Sequence, residues 1–160
     1  MIFTGKMLPI HFSEKQRMEE KKMSTALQVK EAFDKVSWKY KDFREMPDKS
    51  TIMLAGFNGD KATINLLMHF DAMDHTVMFR VLNLSKVPID RKYEVFSVLN
   101  RMNAVYRWIR FFVDDEETIV AQVDHILIPD ESADVVMELI VRINQVVNEA
   151  YPEIMKAVWG

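Results

Sequence analysis

The chain of 160 residues contains no cysteine. That absence removes disulfides, thiolate zinc sites and a cysteine nucleophile, and it suits a reducing compartment, so the cytoplasm is the expected location. No apolar run approaches the ~18 residues of a membrane span. The start, MIFTGKMLPIHFSEK, lacks a sustained apolar region and a small-residue cleavage site, which argues against a secretion signal. Charge of one sign is scarce as well. A formal net charge of -3 is far from the basic surplus with which a sequence-blind binder neutralises phosphates, so neither nucleic acid nor membrane is expected as a partner.

Catalytic signatures are missing too. There is no Gly-x-Ser-x-Gly elbow, and no serine sits in a recognisable catalytic setting. Glycine is sparse, and Gly56 and Gly59 are expected in a hairpin turn with no helix after it to meet a phosphate, which excludes a nucleotide-binding loop there. The segment His69 to His75 gathers two imidazoles and two carboxylates around a turn, donor types suited to a divalent metal. A four-residue turn from Asp71 to Asp74 would pair Phe70 with His75 and leave the two histidines on opposite faces, so a polar turn is the preferred reading. The expectation is therefore no catalytic, cofactor-binding or metal-ligating residues, and no enzyme.

What is present reads as alternating elements. Thr25 and Gln28 have capping-box spacing, and Val29, Phe33, Val36 and Tyr40 form the apolar stripe of a first helix. WKYKDFR after it reads as a helix end followed by a charged edge strand. Thr51 to Phe57 and Lys61 to Phe70 alternate as strands, with Asn58-Gly59 expected as a two-residue turn of positive φ. HTVMFRVLNL is a third strand of that meander. Asp90 is the expected N-cap of a second helix whose buried positions are Val95, Val98, Leu99, Met102 and Tyr106. Two strands follow, then a helix from Ser132 to about Tyr151 with Glu131 and Asp134 near its positive end and a kink or restart at Pro152.

Between those last strands lies the informative pattern. Ile109, Phe111 and Val113 alternate with Phe112, and the same alternation assigns Tyr106 and Trp108 to the face of Phe112. One face of the hairpin suits helix packing. The other needs a different cover, and Tyr106, Trp108, Phe112, Val120 and, near the end of the chain, Trp159 are the expected dimer or partner surface. Twelve methionines add adaptable apolar area, more often used in a core than on a binding face. From Asp114 to Glu138 there are nine acidic residues and no Lys or Arg, a solvated face with a basic partner as the sharper alternative.

The element order, together with the segments VFSVLNRMNAVYRWIRFFV, VDHILIP and YPEIMKAVWG, resembles the YbjN family of bacterial proteins over Ser24 to Gly160. The resemblance implies an α+β fold like that of type III secretion chaperones, a two-layer sandwich of helices on an antiparallel sheet in the order α-β-β-β-α-β-β-α. It also implies a dimer that binds protein partners or modulates a regulatory response, and it carries no catalytic residues across. Residues 1–23 fall outside it. Met18-Glu19-Glu20 can be encoded by a tract like a bacterial ribosome-binding site just before Met23, so a native start at Met23 or Ser24 is expected, with a docking N-terminal arm as the alternative. The function expected is a non-catalytic, chaperone-like interaction or regulatory module, a homodimer binding a polypeptide; the runner-up is a small-ligand or metal-binding protein with an enzymatic role.

Overall fold

The structure, a computed structural model, describes residues 23–128 and 132–160. The expectations for the segment before Met23 and for Glu131 lie outside them. Among the described residues the chain forms α1 (Thr25–Lys35), β1 (Tyr40–Glu45), β2 (Thr51–Asn58), β3 (Thr63–Phe70), β4 (Thr76–Lys86), α2 (Lys92–Val105), β5 (Arg110–Val113), β6 (Thr118–Ile126) and α3 (Ser132–Trp159). The fold is α+β, and the order expected from the sequence is found. The charged edge strand predicted after the first helix is β1, which extends the meander to four strands. All pairings are antiparallel, in the order β1-β2-β3-β4-β6-β5.

Alternation along each strand sends one set of side chains into the core. Met53, Ile64, Leu66, Met68, Phe70, Phe79, Phe111 and Ile119 are buried on that face. Over them lie the helices, with α3 running between α1 and α2 and packing on both. The stripe on α3 is Val136, Ile140, Ile143, Val147, Ala150 and Ile154. Leu99, at 3% exposure, lies with Val95 and Met102 on the buried face of α2, as the spacing predicts.

Several local details differ from the sequence reading. The cap of α1 is Ser24, whose hydroxyl accepts from Leu27 N, while Thr25 donates from its backbone N and Oγ1 to Asp74. The helix ends in a Schellman motif: Trp38 N donates to Phe33 O at 2.9 Å and Ser37 N to Asp34 O at 3.2 Å, with Ser37 at φ 58°. Trp38 then packs edge-on against Phe33 at 5.4 Å.

Asn58-Gly59 does not form the two-residue turn. Asn58 pairs with Thr63, and Gly59 N donates to Ala62 O across a longer loop without a positive φ. Glycine is needed there for space, because a Cβ at position 59 would lie 2.6 Å from Asn148 Oδ1 on α3. The next turn is longer than predicted too. Phe70 pairs with Val77, not His75, because the Asp71 carboxylate gathers Met73 N, His75 N and Thr76 Oγ1 and closes a wider loop.

Asp90 does not cap α2. It sits in a 3-10 turn, Ile89–Arg91, after Pro88, and no side chain caps the helix behind it. Nor does Pro152 end the last helix: α3 is continuous through it to Trp159. Burial of Ile154, Ala157 and Val158 holds the final turns in place even though Pro152 has no N–H to offer Asn148 O.

Candidate functional site

The helices cover one face of the sheet. Across the other face, paired residues build rows that run from strand to strand: Leu54, Leu67, Arg80, Gln122 and Arg110 make one, and Phe112 pairs with Val120 in the next. Ile52, Leu54, Leu67, Met78, Leu82 and Phe112 are half-buried there, and Val120 is 1% exposed.

Two guanidinium groups flank Phe112. Arg80 lies 5.5 Å and Arg110 5.9 Å from its ring centroid, so the aromatic face is screened by cations. Acids position both arginines. Arg110 Nη2 donates to Asp124 Oδ2 at 2.9 Å, and Arg80 Nη2 lies 3.9 Å from Asp114 Oδ2. Gln122 Nε2 also donates to Asp124, at 3.1 Å. Arg80 Nε is buried without a hydrogen-bond partner among the described residues. The arrangement offers apolar contact and oriented charged hydrogen-bonding groups side by side.

The five residues predicted for the surface separate into three places. Phe112 and Val120 share the open sheet face. Trp108, 39% exposed, borders a cleft of about 310 Å³ with Tyr106, Arg107 and Asp124. Tyr106 does not join Phe112. It is the C-cap of α2, outside the strand, so strand alternation never reaches it; its ring packs on Phe111 at 6.2 Å. Burial, followed by the carboxylates of Glu149 and Glu153, holds its hydroxyl above the usual tyrosine range. Trp159 lies at another corner, where Arg91 Nε donates to Ala157 O at 3.0 Å and joins the end of α3 to the start of α2.

A second apolar surface was not predicted. Ile89, Tyr93 and Phe96 are 83%, 85% and 51% exposed. Tyr93 and Phe96 lie on α2 outside its buried stripe of Val95, Leu99 and Met102, and Ile89 is in the 3-10 turn just before the helix. The signal was in the sequence, since two aromatic residues at positions 93 and 96 fall outside the buried stripe.

The histidine segment shows no metal geometry. His69 lies opposite Met78 on the sheet, His75 is in the turn, and the Asp71 carboxylate is occupied by its own loop. Among the described residues no group of three or more His, Asp or Glu is placed to share a metal ion. No helix among them is long and apolar enough to cross a membrane.

Residues 26–155 match the model of a protein family, YbjN, described as "Putative bacterial sensory transduction regulator". Among solved structures the chain is similar to the crystal structure of YbjN, "a putative transcription regulator from E. coli", with 18% identity and a TM-score of 0.50 over 76% of this chain and 87% of that one. At that identity the likeness concerns the fold. No curated protein matches the chain.

Proposed function

The chain belongs to the YbjN family, and from that premise we propose that it is a non-catalytic, chaperone-like regulatory module of the cytoplasm, a homodimer that holds a polypeptide partner against the open face of its sheet. The family description supports the regulatory role. The observation that carries the binding role is the one-sided sheet: among the described residues helices cover one face, while the other presents a half-buried apolar surface around Phe112 with charged groups fixed beside it. An extended partner would find apolar ground at Leu54, Leu67 and Leu82 and hydrogen-bonding groups at Arg80 and Gln122. Such surfaces gain specificity from a few oriented polar groups and affinity from the apolar area around them.

A photo-crosslinking residue tests this reading. Placed at Leu67 on the open face, it captures a discrete polypeptide in the native host. Placed at Arg142, on the helix layer, it does not. Equal capture at both sites, or none at Leu67, removes the sheet face as the binding surface.

A further inference from the structure

Two cations on the open face of the sheet have no acid within hydrogen-bonding reach among the described residues, and both are built into that face. Lys41 is the first. The register between β1 and β2 shifts at this residue, and the bulge turns its side chain from the sheet edge across β2. The side chain passes over Gly56, where a Cβ would stand 3.1 Å from Lys41 Cε, and its Nζ donates to Asn65 Oδ1 on β3 at 2.6 Å. Glycine inside a strand weakens it, and here the missing side chain leaves the track along which the lysine lies. A lysine that only guarded the edge would stay at the edge.

Arg80 is the second. Its Nε is buried without a hydrogen-bond partner among the described residues, and Asp114 Oδ2 stands 3.9 Å from Nη2, too far for a hydrogen bond. The other oxygen of Asp114 is engaged in its own hairpin, accepting from Glu116 N and Thr118 N. Two further arginines of this face are matched: Arg44 lies 3.3 Å from Asp42, and Arg110 donates to Asp124 at 2.9 Å. A guanidinium with an unmet buried donor favours an acceptor that a ligand brings, and a carboxylate makes the strongest such bond.

We propose that the polypeptide held on the open face is acidic: an extended segment whose facing side chains include two carboxylates two residues apart, one for Arg80 and one for Lys41, among apolar neighbours. The proposal rests on the polypeptide reading above and adds the chemistry of the ligand. Spacing supports it. Asn65, where the Lys41 ammonium rests, pairs with Leu82, so Arg80 is its diagonal neighbour, about 7–8 Å away. Side chains at i and i+2 of a strand emerge on one face about 6.6–6.8 Å apart, close to that separation. Leu54, Leu67 and Leu82 lie around the two cations and would meet the apolar residues that flank the acids. Nucleic acid fits the same ground poorly, because a phosphate backbone gains nothing from the leucines and is repelled by Asp42, Asp114 and Asp124 beside them.

Fluorescence anisotropy on the full chain tests this with a labelled synthetic peptide, Thr-Leu-Thr-Glu-Thr-Glu-Thr-Leu-Thr, whose Leu and Glu side chains share one face when extended. The same peptide with Gln for Glu is the reference. The acidic peptide is expected to bind at least about tenfold more tightly, with the advantage shrinking as salt is raised. Arg80→Gln should remove most of that advantage. Lys41→Gln, at an exposed position, should remove part of it, so the result does not depend on how the half-buried arginine variant folds. The double variant Lys41→Glu with Arg80→Glu should instead prefer a peptide with Lys for Glu, which a damaged fold would not do. Equal binding of the Glu and Gln peptides, or no binding of the acidic one, overturns the acidic partner, while capture at Leu67 still decides the polypeptide reading by itself. A preference that survives every substitution puts the acidic peptide at another surface and overturns the assignment. Displacement of the peptide by an equal concentration of a single-stranded oligonucleotide would transfer the two cations to phosphate and overturn it as well.

Discussion

Asn103 and Phe111 exchange two hydrogen bonds: Asn103 Nδ2 donates to Phe111 O at 2.9 Å, and Phe111 N donates to Asn103 Oδ1 at 2.7 Å. The side-chain amide thus takes the place of a neighbouring strand on the outer edge of β5. An unpaired strand edge invites pairing with another chain, and here one helix residue closes it. Asn103→Ala should cost about 1–3 kcal/mol, since it leaves a backbone donor and acceptor without partners. Asn103→Asp should cost as much, because an acidic oxygen replaces the donor that faces Phe111 O. Urea unfolding of both variants measures this, and a loss under about 0.5 kcal/mol would show that the edge is satisfied in another way.

One turn before Asn103, the same helix is anchored in the core through Leu99, which is 3% exposed. Leu99→Ala removes a buried side chain between α2 and the sheet and is expected to cost about 2–5 kcal/mol, the spread depending on how far the site collapses. Tyr93→Ala, on the exposed side, should change monomer stability by no more than about 0.5 kcal/mol. Comparing the two by denaturation below the dimerisation range separates core from surface on one helix.

Helices were more legible than turns, for a physical reason. The buried stripes of α2 and α3 repeat over many residues, and burial forces that repetition. Capping and turn geometry depend on single contacts from distant residues. Asn58-Gly59 is a local hairpin signal, yet Asn148, far along the chain, accepts from Lys61 N and sets a different loop. Thr25 has capping spacing, yet Asp74 claims its donors and Ser24 becomes the cap. At the candidate surface, alternation located Phe112 and Val120 because both lie in strands. It failed at Tyr106, which precedes the strand, and could not bear on Ile89, Tyr93 and Phe96, which lie outside the strands and show only as residues left off the buried stripe of α2.

The Asp71 loop gives a pH dependence. Partial burial pushes the Asp71 carboxyl up, but hydrogen bonds from His75 N, Thr76 Oγ1 and Met73 N outweigh it and hold the group below its ordinary 3.8. As pH falls, the unfolded chain takes up this proton first. The stabilisation is therefore complete above 3.8 and is lost as pH drops through the lower folded value. Asp71→Asn keeps an acceptor for Met73 N and His75 N but cannot ionise. The native chain should exceed it in stability at neutral pH, and the gap should narrow below 3.8. A gap that stays constant with pH would assign the effect of this residue to shape alone.

Asp74 ties α1 to the sheet. Its carboxylate accepts from Thr25 N at 3.0 Å and from Thr25 Oγ1 at 2.9 Å, satisfying a free donor at the helix start and placing negative charge near the positive end of the helix dipole. Asp74→Ala should cost about 1–2 kcal/mol, in the range of a lost N-cap. The hydroxyl contribution is isolated by a cycle with Thr25→Val, where a coupling of at least ~0.5 kcal/mol is expected. Complete additivity would mean that Asp74 acts through the backbone donor only.

Gly59 and Asn148 form the opposite kind of contact, one that excludes a side chain. Asn148 Oδ1 accepts from Lys61 N at 2.8 Å, which fixes the amide where a Cβ at position 59 would come within 2.6 Å of it. Gly59→Ala should therefore destabilise by about 1–3 kcal/mol through overpacking, even though its φ is open to any residue. Asn148→Ala frees the space and loses the acceptor, so the double variant is the informative one. If the amide is what excludes a side chain, Gly59→Ala will cost less in the Asn148→Ala background than in the native chain. An equal cost in both would transfer the restriction to Ala62 O, 3.0 Å from the same Cβ, and would make the glycine a requirement of the loop itself and not of its docking on α3.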